Sequence, residues 1–175
     1  MCGRFNIIDD PLTQLIMEVV EGDVPWAMTT EYNIAPTQTV PVLRHSDEGG
    51  WDMPSMRWWL VPSWSPEPGT KYSMFNAKSE TLTTSRAYKE PFKRRRCVIP
   101  VSGYYEWKKE GSIKVPYYIE PVSEPGFAFA GLWDRWHRGD QIIESCTIVT
   151  AASPEPMKNI HHRIPVHLTV DQART

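Results

Sequence analysis

Apolar residues recur at intervals of three and four most clearly near the N-terminus, which is the spacing of one buried helix face. The residues that form this face are Leu12, Leu15, Ile16 and Val19. Asp10 can cap such a helix, Pro11 suits its first position and Gly22 can end it. We therefore predict a helix that begins after Asp10 and ends at Gly22.

The rest of the chain is dominated by short apolar runs separated by Pro and Gly, a pattern typical of short strands. The predicted strands cover residues 39–43, 56–61, 97–107, 116–119, 127–133 and 142–150. Two further helical pieces are predicted, one from Ser85 into the basic residues that follow it and one from Ser153 toward Ile160. Strands and helices do not alternate regularly, so the pattern favours an α+β fold. Its mostly antiparallel, curved sheets would form a barrel-like core with a few short helices.

Length and composition narrow the class of protein. The chain has 175 residues, which fits one domain spanning residues 1–175, and a chain of that size buries roughly 70% of its unfolded surface without disulfides or metals. Its 41% hydrophobic and 23% charged residues are typical of a globular protein and not of a disordered or membrane-spanning one. Asp9 and Asp10 interrupt the segment in which a signal peptide would be apolar. We expect a cytoplasmic monomer without membrane contact, associated with the nucleoid if the source is bacterial.

The cysteines point to a reducing compartment. Cys2, Cys97 and Cys146 are an odd number at wide spacings, and no Cys-x-x-Cys pair marks a zinc site. Free thiols are expected in that case. We predict neither a metal nor a cofactor.

Charge is distributed unevenly along the chain. The formal net charge is −2, but residues 1–52 carry −7, residues 53–114 carry +7 and residues 115–175 carry −2. The positive middle includes a dense group of basic residues opposed only by Glu90. This group comprises Arg86, Lys89, Lys93, Arg94, Arg95 and Arg96. Such a group indicates either a local surface for anions such as phosphates or a solvated face with no partner.

Cys2 follows the initiator Met1, a position that gives it special reactivity once Met1 is removed. Removal of Met1 would leave an α-amine and a thiol on one residue, and such a 1,2-aminothiol traps an aldehyde as an imine and then as a five-membered thiazolidine. Their reference pKa values, near 7.7–8.0 and near 8.5, leave both groups partly deprotonated around neutral pH. The alternative is that the second codon encodes Cys without consequence.

Five short segments stand out when they are taken in order along the chain. They are Met1-Cys2-Gly3-Arg4-Phe5, Tyr32-Asn33-Ile34-Ala35-Pro36-Thr37, Phe75-Asn76-Ala77-Lys78-Ser79-Glu80, Gly103-Tyr104-Tyr105-Glu106-Trp107 and His161-His162-Arg163-Ile164-Pro165. The ordered set resembles the family called SOS response-associated peptidase (SRAP), over nearly the whole chain. Members of that family sense abasic sites in single-stranded DNA. The resemblance implies an α+β fold with a curved sheet core, a positively charged groove, and a thiazolidine crosslink between the processed N-terminal Cys and the ring-opened aldehyde of an abasic deoxyribose.

The resemblance also implies a reaction centre, with Cys2 as the nucleophile and Asn76, Glu106 and His161 around it. Glu106 lies between two aromatic residues, where partial burial would raise its pKa and let it transfer protons; an exposed strand carboxylate is the alternative. His161 would protonate the sugar ring oxygen and release the aldehyde, although His162 fits the same chemistry. Asn76 would orient the amine or the sugar oxygen, or else form a turn.

A set of DNA contacts follows from the same resemblance. Its members are Arg4, Pro36, Trp58, Trp59, Lys78, Trp107, Thr150 and Arg163. The three cationic side chains would contact phosphates, the Trp side chains would stack against or wedge between bases, Pro36 would line the groove and Thr150 would supply a hydroxyl. At least one of Trp58 and Trp59 is expected in the core instead. Arg86 and residues 94–96 are outer candidates.

The chain departs from the family pattern at several positions. Lys78 stands where Arg is usual, which keeps the charge but loses the bidentate fork. Trp59 replaces a usual Gly, which would change the local backbone or groove width, and Ile164 replaces a usual Met. Only nine residues follow Val166, so we expect either a short family member or a shortened C-terminus.

Three classes of function therefore remain open. The first is covalent capture of abasic sites in single-stranded DNA, which protects the lesion during DNA repair or the SOS response. The second is a cysteine peptidase or N-terminal-nucleophile amidohydrolase that uses Cys2 with His161. The third is a non-covalent single-strand binding module that uses the basic middle and the Trp residues.

Overall fold

The computed structural model describes residues 2–69 and 71–175. Its α-helices are α1 (Asp9–Val20), α2 (Lys89–Arg94) and α3 (Val170–Ala173). Its strands are β1 (Phe5–Ile7), β2 (Glu31–Ile34), β3 (Thr39–Pro41), β4 (Arg44–His45), β5 (Trp51–Asp52), β6 (Ser55–Trp58), β7 (Asn76–Lys78), β8 (Arg96–Val101), β9 (Gly103–Glu110), β10 (Ile113–Ile119), β11 (Phe127–Arg138), β12 (Gln141–Ala152), β13 (Arg163–Pro165) and β14 (His167–Leu168). Short 3₁₀ turns occupy Ser79–Thr81 and Met157–Asn159.

Most of these strands belong to two sheets. The larger, of eight strands, follows the order β14-β11-β12-β6-β3, with β8 paired to β11 and with β7 and β13 paired to β12. The smaller, of four strands, has the order β10-β9-β1-β2. Pairing among the described strands is antiparallel, apart from β6 and β7, which run parallel to β12. The curled sheet forms a half-barrel with 42% strand against 16% helix, which confirms the predicted α+β fold.

The β11–β12 hairpin is the centre of the larger sheet and packs on both faces. It reverses at Gly139, whose φ of 54° is a conformation that glycine adopts without strain. Successive side chains on β12 point to opposite faces. Ile148 therefore packs into the main core with α1 and β1, whereas Val149 packs into a second, smaller apolar cluster.

The predicted strand over residues 97–107 is wrong in one respect, because the structure divides it at Ser102. The part before Ser102 is β8 of the larger sheet, and the part after it is β9 of the smaller sheet. Ser102 is held at this crossing by both of its polar groups. Its N–H donates to the carbonyl of Asn6 at 3.0 Å, and its Oγ accepts from the N–H of Ile8 at 2.8 Å. The break moves the second half of the run into the sheet that carries the N-terminal segment.

The predicted capping of the first helix is also wrong. The structure begins α1 at Asp9, with Ile8 in the N-cap position, and ends it before Glu21, whose φ is 55°. Hydroxyls from elsewhere in the chain accept from the amides at the start of the helix. Ser102 accepts from Ile8, and Thr30 accepts from the N–H of Asp9 at 3.2 Å. Because tertiary contacts satisfy these donors, Asp10 has no capping role.

The other predicted elements differ mainly in length. The helix expected from Ser85 starts at Lys89, and its later basic residues enter β8, while the piece expected after Ser153 is only a 3₁₀ turn. The run 39–43 stops as a strand at Pro41, which has no N–H to donate. The run 56–61 stops at Trp58, because the amides of Leu60 and Val61 bond to Met74 and Ser145 outside the β3–β6 pair. Strands β10, β11 and β12 extend beyond the predicted runs.

Candidate active site

Cys2 lies in the interior, directly before β1. The carbonyl of Arg4 accepts from the N–H of Tyr105 at 2.9 Å, and Phe5 pairs with Tyr104, so the N-terminal segment runs along β9. The Cys2 side chain is fully buried, and its Sγ lies 4.0 Å from the Arg4 carbonyl. Burial raises the thiol pKa above its usual range, and the negative charge of Glu106 adds to this effect. The thiol in this setting therefore stays protonated at neutral pH and needs a base, contrary to the partial ionisation expected from reference values.

Glu106 is the carboxylic acid next to this thiol. It is only 3% exposed, so the alternative of an exposed strand carboxylate does not apply. Tyr104, two residues earlier on β9, is fully buried like Glu106 and lies on the same face of the strand. Burial raises the pKa of the Glu106 carboxyl, while its hydrogen bond from the Trp107 backbone and the charge of His162 oppose the rise. The raised pKa is closer to neutral pH, so the carboxyl can exchange protons there.

Asn76 connects β7 to the N-terminal segment. Its Nδ2 donates to the carbonyl of Cys2 at 2.8 Å. The residue before it, Phe75, is held by Trp58, whose indole Nε1 donates to the Phe75 carbonyl at 2.9 Å. The Asn76 Oδ1 is buried and accepts no hydrogen bond from the described residues. Asn76 is thus a strand residue that fixes the Cys2 backbone and keeps an acceptor beside it, and it does not form a turn.

His161 and His162 lie side by side just before β13. Their ring centroids are 4.4 Å apart. The Nδ1 of His161 is 3.0 Å from the backbone N–H donor of Arg163 and 3.1 Å from the carbonyl oxygen of the same residue. A neutral ring can accept from the former and a protonated ring can donate to the latter, so His161 can change protonation state without moving. Burial lowers the pKa of His161. The exposed His162 also has a lowered pKa, chiefly because of the charge of His161.

Three of the predicted DNA contacts meet where β7, β12 and β13 run side by side. Thr150 pairs with Lys78 on one side and with Pro165 on the other, and Lys78 is exposed. The Arg163 guanidinium donates to both carboxylate oxygens of Glu80, at 2.6 and 3.0 Å, and to the Thr150 carbonyl at 2.6 Å. This pairing lowers the pKa of Glu80 to about 2. Arg163 is therefore engaged within the protein, and Thr150 is a buried support for it.

The predicted Trp contacts differ in accessibility. Trp58 is completely buried between Phe5 and Phe75, so it is the core member of the Trp58–Trp59 pair and offers no face to a base. Trp59 is half-buried, with its ring 5.7 Å from that of Phe75. Trp107 is 39% exposed.

Sequence reasoning did not single out Trp64, the most exposed tryptophan of the described residues at 44%. The Arg86 guanidinium lies 4.0 Å from the centroid of the Trp64 ring, and the Trp64 Nε1 donates to the Arg86 carbonyl at 3.3 Å. Its position in a Ser- and Pro-rich loop, outside any apolar run, was the available signal for exposure.

Arg4 and Pro36 lie near the N-terminal segment. Arg4 is half-buried and donates to the side-chain oxygen of Asn33 at 3.0 Å. Pro36 belongs to the turn between β2 and β3. The next residue, Thr37, has a φ of 81° and donates its N–H to the carbonyl of Trp58 at 2.9 Å.

Three of the four outer basic residues border a cavity of the larger sheet. Residues 94–96 line a cavity of about 920 Å³ beside β11, together with apolar residues of β8, β11 and α3. Arg95 forms an ion pair with Asp134 at 3.2 Å. None of the four residues predicted for the reaction centre lines this cavity.

The described part of the chain has no group of three or more His, Cys, Asp and Glu side chains arranged to hold a metal ion. Its three cysteines are all buried and unpaired. The helices of this part are all too short or too polar to cross a membrane.

Comparison with known proteins gives consistent results. The family model described as SOS response associated peptidase (SRAP) matches residues 1–175. Abasic site processing protein YoaM of Bacillus subtilis is 35% identical over 180 residues, which covers 99% of this chain and 78% of that protein. Abasic site processing protein YedK of Escherichia coli is 34% identical over 179 residues, covering 99% and 78%. A crystal structure of a protein from Bordetella bronchiseptica has the same fold, with a TM-score of 0.83, 19% identity, and coverage of 99% of this chain and 86% of that one.

Proposed function

The chain belongs to the SOS response associated peptidase (SRAP) family, and we propose that it captures abasic sites in single-stranded DNA through a thiazolidine at Cys2. Relatives named as abasic site processing proteins support abasic-site DNA as the partner. The observation that carries the proposal is the grouping of three residues. The Asn76 side chain donates a hydrogen bond to the Cys2 carbonyl at 2.8 Å, and the buried carboxyl of Glu106 lies close to the Cys2 thiol. We further propose that residues 1–175 act as one domain and as a monomer. The captured lesion would be protected during DNA repair or the SOS response.

The chemistry begins once Met1 has been removed and the Cys2 amine is free. The amine attacks the aldehyde carbon of the ring-opened abasic deoxyribose and forms a carbinolamine, which loses one water molecule to give an imine. The Cys2 sulfur then adds to the imine carbon, and the thiol proton ends on the nitrogen. One aldehyde and one aminothiol thus give one thiazolidine and one water, without any oxidant or reductant.

Glu106 suits the two proton transfers in this sequence. Because burial raises its pKa, the protonated carboxyl persists to a higher pH than usual and can donate to the departing hydroxyl of the carbinolamine. The resulting carboxylate lies beside the Cys2 thiol, which burial keeps protonated. It can therefore accept the thiol proton as the sulfur attacks.

Asn76 and His161 act on the two reactants. Asn76 holds the Cys2 carbonyl through its Nδ2, and its buried Oδ1 is an acceptor available to an N–H of the amine. His161 donates a proton to the sugar ring oxygen to open the ring and release the aldehyde. In the protonated ring, Nδ1–H donates to the Arg163 carbonyl, so the Nε2 proton is the one transferred to the sugar.

The strand of DNA would follow the cationic and aromatic side chains around this centre. Lys78 is exposed at the end of β7 and suits a phosphate. Arg163 becomes available when a phosphate replaces Glu80 as its partner. Trp107 and Trp59 present partly exposed rings, and Trp64 with Arg86 adds a third stacking surface that takes the place assigned to Trp58.

The test uses protein whose intact mass confirms that Met1 is absent. This protein is incubated with single-stranded DNA that contains one abasic site, and products are separated under denaturing conditions. We expect a covalent adduct that disappears in Cys2→Ala and persists in Cys146→Ala, a matched change at another buried thiol. No adduct from protein with a verified free Cys2 amine would reject the chemistry.

The same preparations separate the two other hypotheses from the sequence. A cysteine peptidase or N-terminal amidohydrolase predicts repeated turnover of peptide or amide substrates without DNA. A non-covalent binding module predicts salt-sensitive binding that is indifferent both to the lesion and to Cys2→Ala.

A further inference from the structure

We propose that the hydroxyl of Tyr118 and the side-chain amide of Asn6 form a clamp on the N-terminal segment that positions the Cys2 amine for its attack on the aldehyde. Both residues act through the backbone that carries Cys2, so they are positioning residues and not catalytic ones. Gly103 provides the space that the clamp requires. The inference rests on the proposed function, because the group that is positioned is the nucleophile of the proposed thiazolidine.

The N-terminal segment has little backbone support of its own. Strand β1 is three residues long, and among the described residues its pairing with β9 has two residue pairs, Phe5 with Tyr104 and Asn6 with Gly103. Terminal segments fray unless other contacts hold them. The amine of Cys2, three residues before β1, therefore depends on further contacts for a fixed position.

The pairing of β1 with β2 is interrupted at Asn6. Phe5 pairs with Ile34 while Ile7 pairs with Glu31, so two residues of β2 lie opposite Asn6 alone. Such a bulge disrupts the backbone ladder locally, and bulges are frequent beside active sites. Asn6 is thus the residue of β1 at which a side-chain contact has most to add.

Tyr118 supplies that contact. Asn6 is only 4% exposed, and its Nδ2 donates to the Tyr118 hydroxyl at 3.1 Å. The same hydroxyl is a donor 3.4 Å from the Asn6 Oδ1, so both polar atoms of the buried amide share one partner. Tyr118 belongs to β10, and β9 lies between β10 and β1 in the smaller sheet. The clamp therefore connects two strands that are not neighbours.

Gly103 makes this reach across β9 possible. A Cβ added at Gly103 would overlap the Tyr118 hydroxyl and would lie 2.5 Å from the ring carbon Cζ that bears it. The Tyr118 ring therefore occupies the space of the missing side chain, which is a close approach that only glycine allows. The Tyr105 ring, with its centroid 5.1 Å from that of Tyr118, packs beside it and limits its movement.

The clamp completes the support of residues 2–6. Asn76 donates to the Cys2 carbonyl at 2.8 Å, and the Arg4 carbonyl accepts from the N–H of Tyr105 at 2.9 Å. The clamp at Asn6 is the third point of attachment along this segment. A nucleophile that is held in place reacts faster, because less motion has to be lost in the transition state. Since the clamp acts on the protein segment, it should change the rate of reaction and not the affinity for DNA.

The test measures single-turnover crosslinking of abasic single-stranded DNA at rising DNA concentrations, with protein whose free Cys2 amine is verified by intact mass. In Tyr118→Phe we expect the rate constant at saturating DNA to fall about fivefold, with the half-saturating DNA concentration unchanged. Tyr105→Phe is the matched control, since it removes a hydroxyl that donates to the Tyr32 carbonyl on β2 at 3.3 Å and should react at the parental rate.

The amplitude of the same reaction reports the fraction of folded protein. A lower amplitude with a parental rate constant in Tyr118→Phe would show a purely structural contact and overturn the clamp. Asn6→Ala removes the other partner and provides the same comparison where Tyr118→Phe does not fold. In the double variant we expect a rate no lower than that of the slower single variant. Two full, independent losses would mean that the residues do not act together.

Hydrogen exchange separates the clamp from the proposed chemistry, because it needs no adduct. In Tyr118→Phe we expect faster amide exchange in residues 5–7 and parental exchange in β11. Loss of the adduct in the parent protein, with this exchange effect retained, would reject the thiazolidine chemistry and leave the clamp standing. A normal adduct in the parent, with parental rate constants in both single variants, would overturn the clamp and leave the proposed function intact.

Discussion

Glu106 in the smaller sheet and Asp134 in the larger sheet are both buried strand carboxyls, yet their surroundings differ. Asp134, 2% exposed, accepts from the backbone N–H groups of Ser63 and Arg135 at 2.8 Å each and lies 3.2 Å from the Arg95 guanidinium. Glu106, 3% exposed, lies beside the Cys2 thiol, and burial raises its pKa. A carboxylate that accepts several hydrogen bonds stabilises the fold, whereas a carboxyl group whose pKa is raised toward neutral pH can exchange protons.

The cysteines show the same contrast. Cys2 and Cys146 are both fully buried, and burial raises the thiol pKa of each. Burial is the whole cause for Cys146 in the larger sheet, while the charge of Glu106 contributes for Cys2. Buried thiols are therefore common to both regions. The Cys2 thiol differs from the Cys146 thiol because the carboxyl group of Glu106 lies close to it.

The largest expected effect comes from exchanging each carboxyl for its amide. Glu106→Gln keeps the shape but removes the transferable proton, so we expect adduct formation to slow by about 100-fold or more. Single-turnover crosslinking measures this rate, and urea unfolding should show little change in stability. Asp134→Asn should instead lower the free energy of unfolding by about 2 kcal/mol while the folded protein reacts at the parental rate. Equal slowing by both variants would abolish the distinction between the two regions.

A second pair of variants compares two buried polar atoms without a hydrogen-bond partner among the described residues, Asn76 Oδ1 and Thr147 Oγ1. Asn76→Ala releases the Cys2 carbonyl and removes the acceptor beside the amine, so crosslinking should slow by about tenfold. Thr147→Val in the larger sheet replaces an unsatisfied hydroxyl with a methyl group. We expect unfolding free energies equal to the parent or higher by up to about 1 kcal/mol, with crosslinking unchanged. Asn76, on β7, belongs to the same sheet, so slower crosslinking in Thr147→Val would show that the chemistry depends on that sheet as a whole and not on Asn76 alone.

Sequence patterns predicted the larger sheet better than the smaller one. The runs that became β11 and β12 were predicted because their apolar residues are frequent and their turns contain Gly. β1 and β2 of the smaller sheet were not predicted, nor were β7, β13 and β14 of the larger one, since strands of two to four residues show too little alternation to recognise. Residue pattern also gave no sign of the break at Ser102, because the two hydrogen bonds that hold it come from residues about 95 positions away.

The candidate site was predicted from ordered motifs, not from periodicity. That route named Cys2, Asn76 and Glu106, which the structure brings together. The motifs could not show that Trp58 is buried and Trp64 exposed, since both depend on packing between distant strands. Nor could they show that Arg163 is held by Glu80, because ion-pair partners across strands leave no local signal.

Two histidines, His161 before β13 and His167 on β14, should respond differently to pH. Burial lowers the pKa of His161, so the protonated acid is a minor form at pH 7 and increases as the pH falls. We expect adduct formation to speed up on acidification, by less than about tenfold per unit because the amine loses reactivity as it gains protons. His161→Gln should remove this gain, so that single-turnover rates measured from pH 6 to 8 fall on acidification as the amine gains protons. An unchanged profile in that variant would assign the proton to another group.

His167 on β14, which has no proposed role in the reaction, is the matched histidine. Its ring stacks 4.4 Å from that of Phe127, and desolvation of the ring by this contact lowers its pKa to about 4, although the residue as a whole is exposed. The unfolded chain binds this proton near pH 6.5 and the folded chain only near pH 4, so stability falls as the pH drops between those values. His167→Gln should reduce this acid sensitivity in thermal unfolding and leave the pH profile of crosslinking intact. A changed crosslinking profile would give His167 a role in the reaction.

The smallest expected effect concerns two ion pairs, Arg163–Glu80 and Arg44–Asp52. Glu80→Gln removes the charge that holds Arg163, while the Thr150 carbonyl, 2.6 Å from the guanidinium, keeps it in place. The freed cation should strengthen single-strand binding by about threefold and steepen the dependence of log affinity on log salt by up to about one. Asp52→Asn, which weakens the Arg44 pair at 3.0 Å, should change neither quantity. Because the Glu80 pKa is about 2, acidification to pH 5 cannot mimic this variant, so a parental salt dependence in Glu80→Gln would mean that Arg163 contacts no phosphate.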